Sequence, residues 1–157
     1  MKKTLLEKTA DKLVNAFINN KIIAPIPSKF TKKLGEAQKL RKLCESKVKD
    51  PIVGFKAAGT GFPVMKKLKE KEPFYAAIFK KNFLKSGQKV KINKSTLGIE
   101  LEVCYLIKKN FFSSKGSITI RNVTKYISHI APCIEVIGYR QKKKGITSFG
   151  DLCSDFG

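Results

Sequence analysis

The chain has 157 residues, with 33 Lys plus Arg against 12 Asp plus Glu and a formal net charge of +21. That length holds one domain of ordinary size or part of a larger one, and a hydrophobic fraction of 42% excludes wholesale disorder. No apolar run approaches the roughly 18–20 residues that span a bilayer, so no membrane association is expected.

Met1-Lys2-Lys3 begins like a secretion signal, but the next stretch places Glu7, Lys8, Asp11 and Lys12 where an apolar segment should be. A cytoplasmic location is therefore expected. Residues 3–20 read as an amphipathic helix with Leu6, Ala10, Leu13, Val14, Phe17 and Ile18 on one stripe, ended by Asn19-Asn20. Pro25 and Pro27 force an extended link. Thr31 is placed to cap a second helix over 31–47, with Leu34, Ala37, Leu40 and Cys44 inward and charged residues outward.

Composition changes at Asp50-Pro51, which divides the chain into a helical region, 1–50, and a β-rich region, 51–157. Residues 51–58 form a short apolar strand closed by Gly59-Thr60-Gly61, and 63–70 hold one or two helical turns. Phe74 to Phe79 is apolar and strand-like. Ser86-Gly87 is a turn before Lys89-Val90-Lys91-Ile92, whose alternation suits a half-buried strand. Leu97 to Ile107 is a clear strand, and Ser113 to Gly116 a loop. Thr119 reads as the cap of a helix running to about Ile130, with Val123, Ile127 and Ile130 inward and Pro132 after its end. Cys133 to Tyr139 is a last strand, and 141–150 is a polar tail. The fold class is α+β.

The charge first suggests a polyanion partner. The chain has 30 Lys but only Arg41, Arg121 and Arg140, whereas phosphate and base edges favour the planar fork of Arg. The Lys residues are scattered, with one run of three at Lys142-Lys143-Lys144. Nucleic-acid binding is disfavoured. Cys44, Cys104, Cys133 and Cys153 show no C-x-x-C spacing and there is one His, which speaks against zinc.

The acids are more informative. After residue 73 there are only Glu100, Glu102, Glu135, Asp151 and Asp155, and the three Glu lie inside apolar segments. Side chains alternate along a strand, so Glu100 and Glu102 point to one face, with Cα atoms roughly 7 Å apart. A hard divalent cation such as Mg²⁺ or Mn²⁺ would bridge them, with Glu135 as a third oxygen ligand. The spacing alone also fits a solvated sheet face whose Glu residues pair with Lys. Lys56 stands alone near the end of an apolar strand; it is either an acid–base or carboxylate-binding group or simply an exposed strand-end Lys.

Five segments together resemble a known family. Gly54-Phe55-Lys56-Ala57-Ala58-Gly59-Thr60 resembles G-[WFY]-K-x-G-x-T, and Pro73-Phe74-Tyr75-Ala76-Ala77-Ile78-Phe79 resembles P-F-Y-G-x-L-F. Gly98-Ile99-Glu100-Leu101-Glu102-Val103 is similar to G-x-E-x-E-[FIV], and Ala131-Pro132-Cys133-Ile134-Glu135-Val136 to H-P-A-[IL]-E-V. The segment from Asp151 to Gly157 resembles a region ending A-D-N-[AG]. In this order they resemble the 2-keto-4-pentenoate hydratase branch of the fumarylacetoacetate hydrolase superfamily. Ala57-Ala58, Ala76 and Phe156 depart from the pattern.

The resemblance implies a mixed β-roll or sandwich after two helices, incomplete at its C-terminal end. It implies that Glu100, Glu102 and Glu135 bind Mg²⁺ or Mn²⁺, that Lys56 is the active-site lysine and binds substrate, and that Asp155 lies near the substrate. The implied substrate is a small 2-oxo or 2-enol carboxylic acid, and the implied reaction is hydration of a 2-hydroxy-2,4-dienoate to a 4-hydroxy-2-oxo acid in aromatic-compound catabolism. Alternatives are a related decarboxylase or C–C hydrolase, or an inactive truncated remnant. The implied assembly is a homo-oligomer or a pairing with a complementing chain.

Overall fold

A computed structural model describes residues 2–113, 116–142 and 149–156. The second and third Lys of the run at 142–144, most of the 141–150 tail, the middle of the 113–116 loop and Gly157 lie outside the described residues. The chain divides into two compact units, one made of residues up to Ser95 together with those from Tyr139 onward, the other of Thr96–Gly138.

In the first unit, α1 runs Leu5–Ile18. Thr4 caps it: its Oγ1 accepts the N–H of Glu7, and the Glu7 carboxylate accepts the N–H of Thr4. This reciprocal box satisfies helix donors that otherwise lack partners. The stripe is buried at Ala10, Leu13, Val14 and Phe17, while Ile18, expected inward, is exposed in the last turn.

Helix α2 spans Leu34–Lys47 and starts later than the sequence suggests. Thr31 is not its cap. A single 3₁₀ turn at Ser28–Phe30 intervenes, and the Thr31 hydroxyl donates to the Ser28 carbonyl. Lys33 occupies the cap position without a side-chain bond.

Strand β1 (Ile52–Ala58) pairs antiparallel with β2 (Phe74–Phe79), and α3 (Phe62–Leu68) lies between them in sequence. A short α4, Phe149–Cys153, follows late in the chain. Ala10, Leu13, Phe17, Leu40, Cys44, Phe79 and Phe156 form one apolar core; Ala37, Phe74, Phe149 and Cys153 form a second. Residues on both sides of Asp50-Pro51 thus share these cores. Two glycines are required by close approach. A Cβ on Gly59, which has φ +71, would sit 2.3 Å from the Phe149 ring, and one on Gly150 would sit 1.9 Å from the Thr31 carbonyl oxygen.

Lys89 to Ile92 forms no strand among the described residues; Val90 and Ile92 are exposed and find no ladder partner.

The second unit is a two-stranded antiparallel ribbon of β3 (Thr96–Ile107) and β4 (Ile127–Gly138). The helix expected over 119–130 is replaced by a 3₁₀ turn at Val123–Tyr126 that leads straight into β4. The β-branched Ile127 and Ile130 pair with Ile107 and Tyr105 instead of lining a helix face. Pro132 does not terminate a helix. It sits within β4 opposite Val103, as a proline can in a strand whose outer edge has no ladder partner among the described residues. Among the described residues no helix is long and apolar enough to cross a membrane.

Candidate metal centre

The register of the ribbon sorts its side chains into two unlike faces, because directly opposed residues of an antiparallel pair share a face and neighbours alternate. Glu100 lies opposite Glu135, Glu102 opposite Cys133, and Cys104 opposite Ala131. These belong to one face. The other is formed by the pairs Ile99 with Val136, Leu101 with Ile134, Val103 with Pro132 and Tyr105 with Ile130.

The first face gathers the carboxylates that the sequence singles out. Glu100, Glu102 and Glu135 each present an oxygen within 4.8 Å of the others. Glu100 and Glu102 are exposed and Glu135 is half-buried. Like charges directly opposed across strands destabilise a sheet, and a cation shared by the cluster would relieve that repulsion. The donor set fits a hard divalent ion: three carboxylate oxygens, with no soft ligand required. Mg²⁺ binds oxygens at about 2.1 Å in an octahedron, which sets adjacent ligands roughly 3 Å apart, and the three carboxylate oxygens lie within 4.8 Å of one another. On the same face the Cys133 thiol is held above its ordinary range by loss of water, then by Cys104 and the Glu102 and Glu135 charges.

Lys56 and Asp155 belong to the other unit. Lys56 is half-buried on β1 opposite Ala76, on the face it shares with Phe74. Asp155 is buried; its Oδ2 accepts the Arg140 N–H at 2.9 Å, and the Arg140 guanidinium donates to its carbonyl oxygen at 2.8 Å.

Sequence reasoning missed a buried ion pair. Arg41 and Glu45, one turn apart on α2, were expected on its solvated face, yet both are buried and bonded. The same Glu45 Oε1 accepts the Ala77 N–H of β2 at 2.8 Å, and the Arg41 guanidinium lies 4.5 Å from the centre of the Tyr75 ring. The i,i+4 spacing of opposite charges was the available signal, but exposed helix pairs show the same spacing.

No protein-family model and no curated protein matches the sequence. Solved structures do match, two of them of one enzyme. One is "4-oxalocrotonate decarboxylase from Pseudomonas putida G7 - complexed with magnesium and adipate", at TM-score 0.74 and 17% identity over 96% of this chain and 58% of that one. The other is the same enzyme complexed with calcium and acetate, at TM-score 0.73 and 16% identity over 99% of this chain and 60% of that one. The chain is similar in fold to 4-oxalocrotonate decarboxylase. It spans about three fifths of the decarboxylase chain. The α+β class is therefore correct, and the chain shares the fold of the decarboxylase over part of that protein's length.

Proposed function

We propose that this chain supplies the metal-binding portion of a divalent-metal-dependent enzyme of the fumarylacetoacetate hydrolase superfamily that acts on 2-oxo or 2-enol carboxylic acids. The finer reading is a hydratase that adds water to 2-hydroxypenta-2,4-dienoate to give 4-hydroxy-2-oxopentanoate. The observation that supports the metal-dependent reading is the cluster of Glu100, Glu102 and Glu135 on one face of the ribbon.

These three residues would hold Mg²⁺ or Mn²⁺ through one oxygen each, leaving octahedral positions for water and substrate. When bound, such an ion acts as a Lewis acid on oxygens of a 2-oxo acid. By the sequence resemblance, Lys56 binds the substrate carboxylate through its ammonium group or passes a proton at Nζ. Asp155 contributes by fixing the Arg140 backbone through Oδ2.

A second reading, decarboxylation of a 2-oxo acid, is favoured by the structural neighbours, which are decarboxylases. Loss of dienoate absorbance with Mg²⁺ present separates the first reading from CO₂ release from a 2-oxo dicarboxylate. Mn²⁺ binding followed by electron paramagnetic resonance tests the centre directly. The Glu100→Ala variant is expected to weaken Mn²⁺ binding by more than about tenfold and to abolish turnover. Unchanged Mn²⁺ affinity would remove the proposed metal role.

A further inference from the structure

The connection from β3 to β4 closes one end of the ribbon. A 3₁₀ turn at Lys109–Phe111 is tied there to the 3₁₀ turn at Val123–Tyr126. The Phe111 and Tyr126 rings pack edge to face at 5.7 Å, the Lys108 N–H donates to the Tyr126 carbonyl at 2.7 Å, and Lys108 Nζ donates to the Lys125 carbonyl at 2.9 Å. Asn122 closes a further turn over 119–122. Its Oδ1 accepts the Thr119 N–H at 2.8 Å, its own N–H donates to the Thr119 carbonyl at 3.1 Å, and its Nδ2 donates to the Ser117 carbonyl at 3.0 Å.

These bonds fix what the connection presents to solvent. Ile120 lies inside the closed turn and is 91% exposed; Phe112, whose ring packs on that of Phe111, is 80% exposed. Turn centres normally carry small or polar residues, yet here an ordered backbone holds a large apolar side chain out in water. The charges around it have one sign. No Asp or Glu lies between Glu102 and Glu135, and Lys108, Lys109, Arg121 and Lys125 are all exposed.

We propose that this end of the ribbon docks on the surface of an anionic lipid bilayer without crossing it. Ile120 and Phe112 enter the boundary between headgroups and acyl chains, and the four cations meet lipid phosphates. The chemistry favours this occupant over nucleic acid. Single strands are held by stacking on aromatic rings and guanidinium planes, whereas the most exposed side chain here is aliphatic. The proposal rests on this connection alone and is independent of the metal reading.

The test is co-sedimentation of the 157-residue chain with vesicles of phosphatidylcholine containing about one third phosphatidylserine, against phosphatidylcholine alone. Binding to the anionic vesicles is expected, weakening as salt is added. Ile120→Ser and Phe112→Ser should each reduce it by more than about fivefold. Lys109→Gln with Lys125→Gln should reduce it by about 25-fold, whereas Lys2→Gln with Lys12→Gln, equal in charge but elsewhere in the chain, should change it by less than about threefold. Circular dichroism checks that each variant is folded. The chain has no Trp, so Phe112→Trp introduces a single reporter. Its emission should shift to the blue on anionic vesicles and be quenched by lipids brominated in their acyl chains, while that of Leu101→Trp, on the apolar ribbon face, should do neither. Absence of vesicle binding, binding indifferent to both serine variants, a Phe112→Trp emission unchanged by vesicles, or single-stranded RNA binding lost in the same variants and tighter than vesicle binding would overturn the proposal.

Discussion

At the scale of single residues, burial and exposure set the buried Cys44 and Cys153 apart from Cys133. Burial pushes the Cys44 thiol up to about 12 and the Cys153 thiol up to about 11, the latter despite the neighbouring Arg41 cation. A thiol must ionise to attack, so both should resist alkylation in the native protein at neutral pH. Cys133, exposed on the ribbon, should be labelled before either of them. Mass spectrometry of peptides after a short iodoacetamide pulse checks this order; early labelling of Cys44 would contradict the packing of α1 on α2. The carboxylate cluster was legible in the sequence because so few acids follow residue 73 and three of them interrupt apolar strands. Arg41 was not legible, since its burial depends on Tyr75 and Glu45 meeting it through tertiary packing.

At the scale of elements, one side chain joins α2 to β2. Glu45 neutralises Arg41 and also accepts the Ala77 N–H. Removing one member of a buried pair strands the other, at about 3–5 kcal/mol. Glu45→Ala should therefore lower stability by that amount in urea unfolding, and Arg41→Met combined with Glu45→Leu should recover part of it. The cap of α1 gives a milder test. Thr4→Ala should cost about 1 kcal/mol in the same assay.

Glu7 is held below its ordinary value of 4.5 by its bonds to Thr4. Its support of the helix is present above that value and is lost as pH falls through the folded value. Acid melting of the wild type should thus show a decline that Glu7→Gln lacks. Elements with a local signature, such as α1 with its apolar stripe and the alternating β3, could be read from the sequence. The segment from Thr119 to Ile130 could not, because its Val and Ile spacing fits a helix face and a paired strand alike; β3, with Tyr105 opposite Ile130, decides between them. The Lys89–Ile92 alternation failed for the opposite reason, a strand pattern without a neighbour to complete it.

At the scale of the whole molecule, a net charge of +21 and an open apolar ribbon face act against each other. Mutual repulsion keeps copies apart at low ionic strength, and salt shortens its range to about 8 Å near physiological concentration. Light scattering by the isolated chain should therefore rise as salt is added, and Leu101→Glu should suppress the rise. A signal that falls with salt would mean that charge, rather than the apolar face, drives association.

The opposition of Glu100 to Glu135 has a consequence for how the ribbon is aligned. Alternation gives each residue only two choices of side, so sliding β3 by one position along β4 would turn Glu100 and Glu102 to the side of Ile134 and Val136, away from Glu135, and bring Ile99, Leu101 and Val103 to the side of Glu135. The chemical surface and the adhesive surface are therefore one alignment seen from two directions. A cation shared by Glu100 and Glu135 would clasp the two strands at a single point, fixing at the same time which side of the ribbon can bind and which can stick.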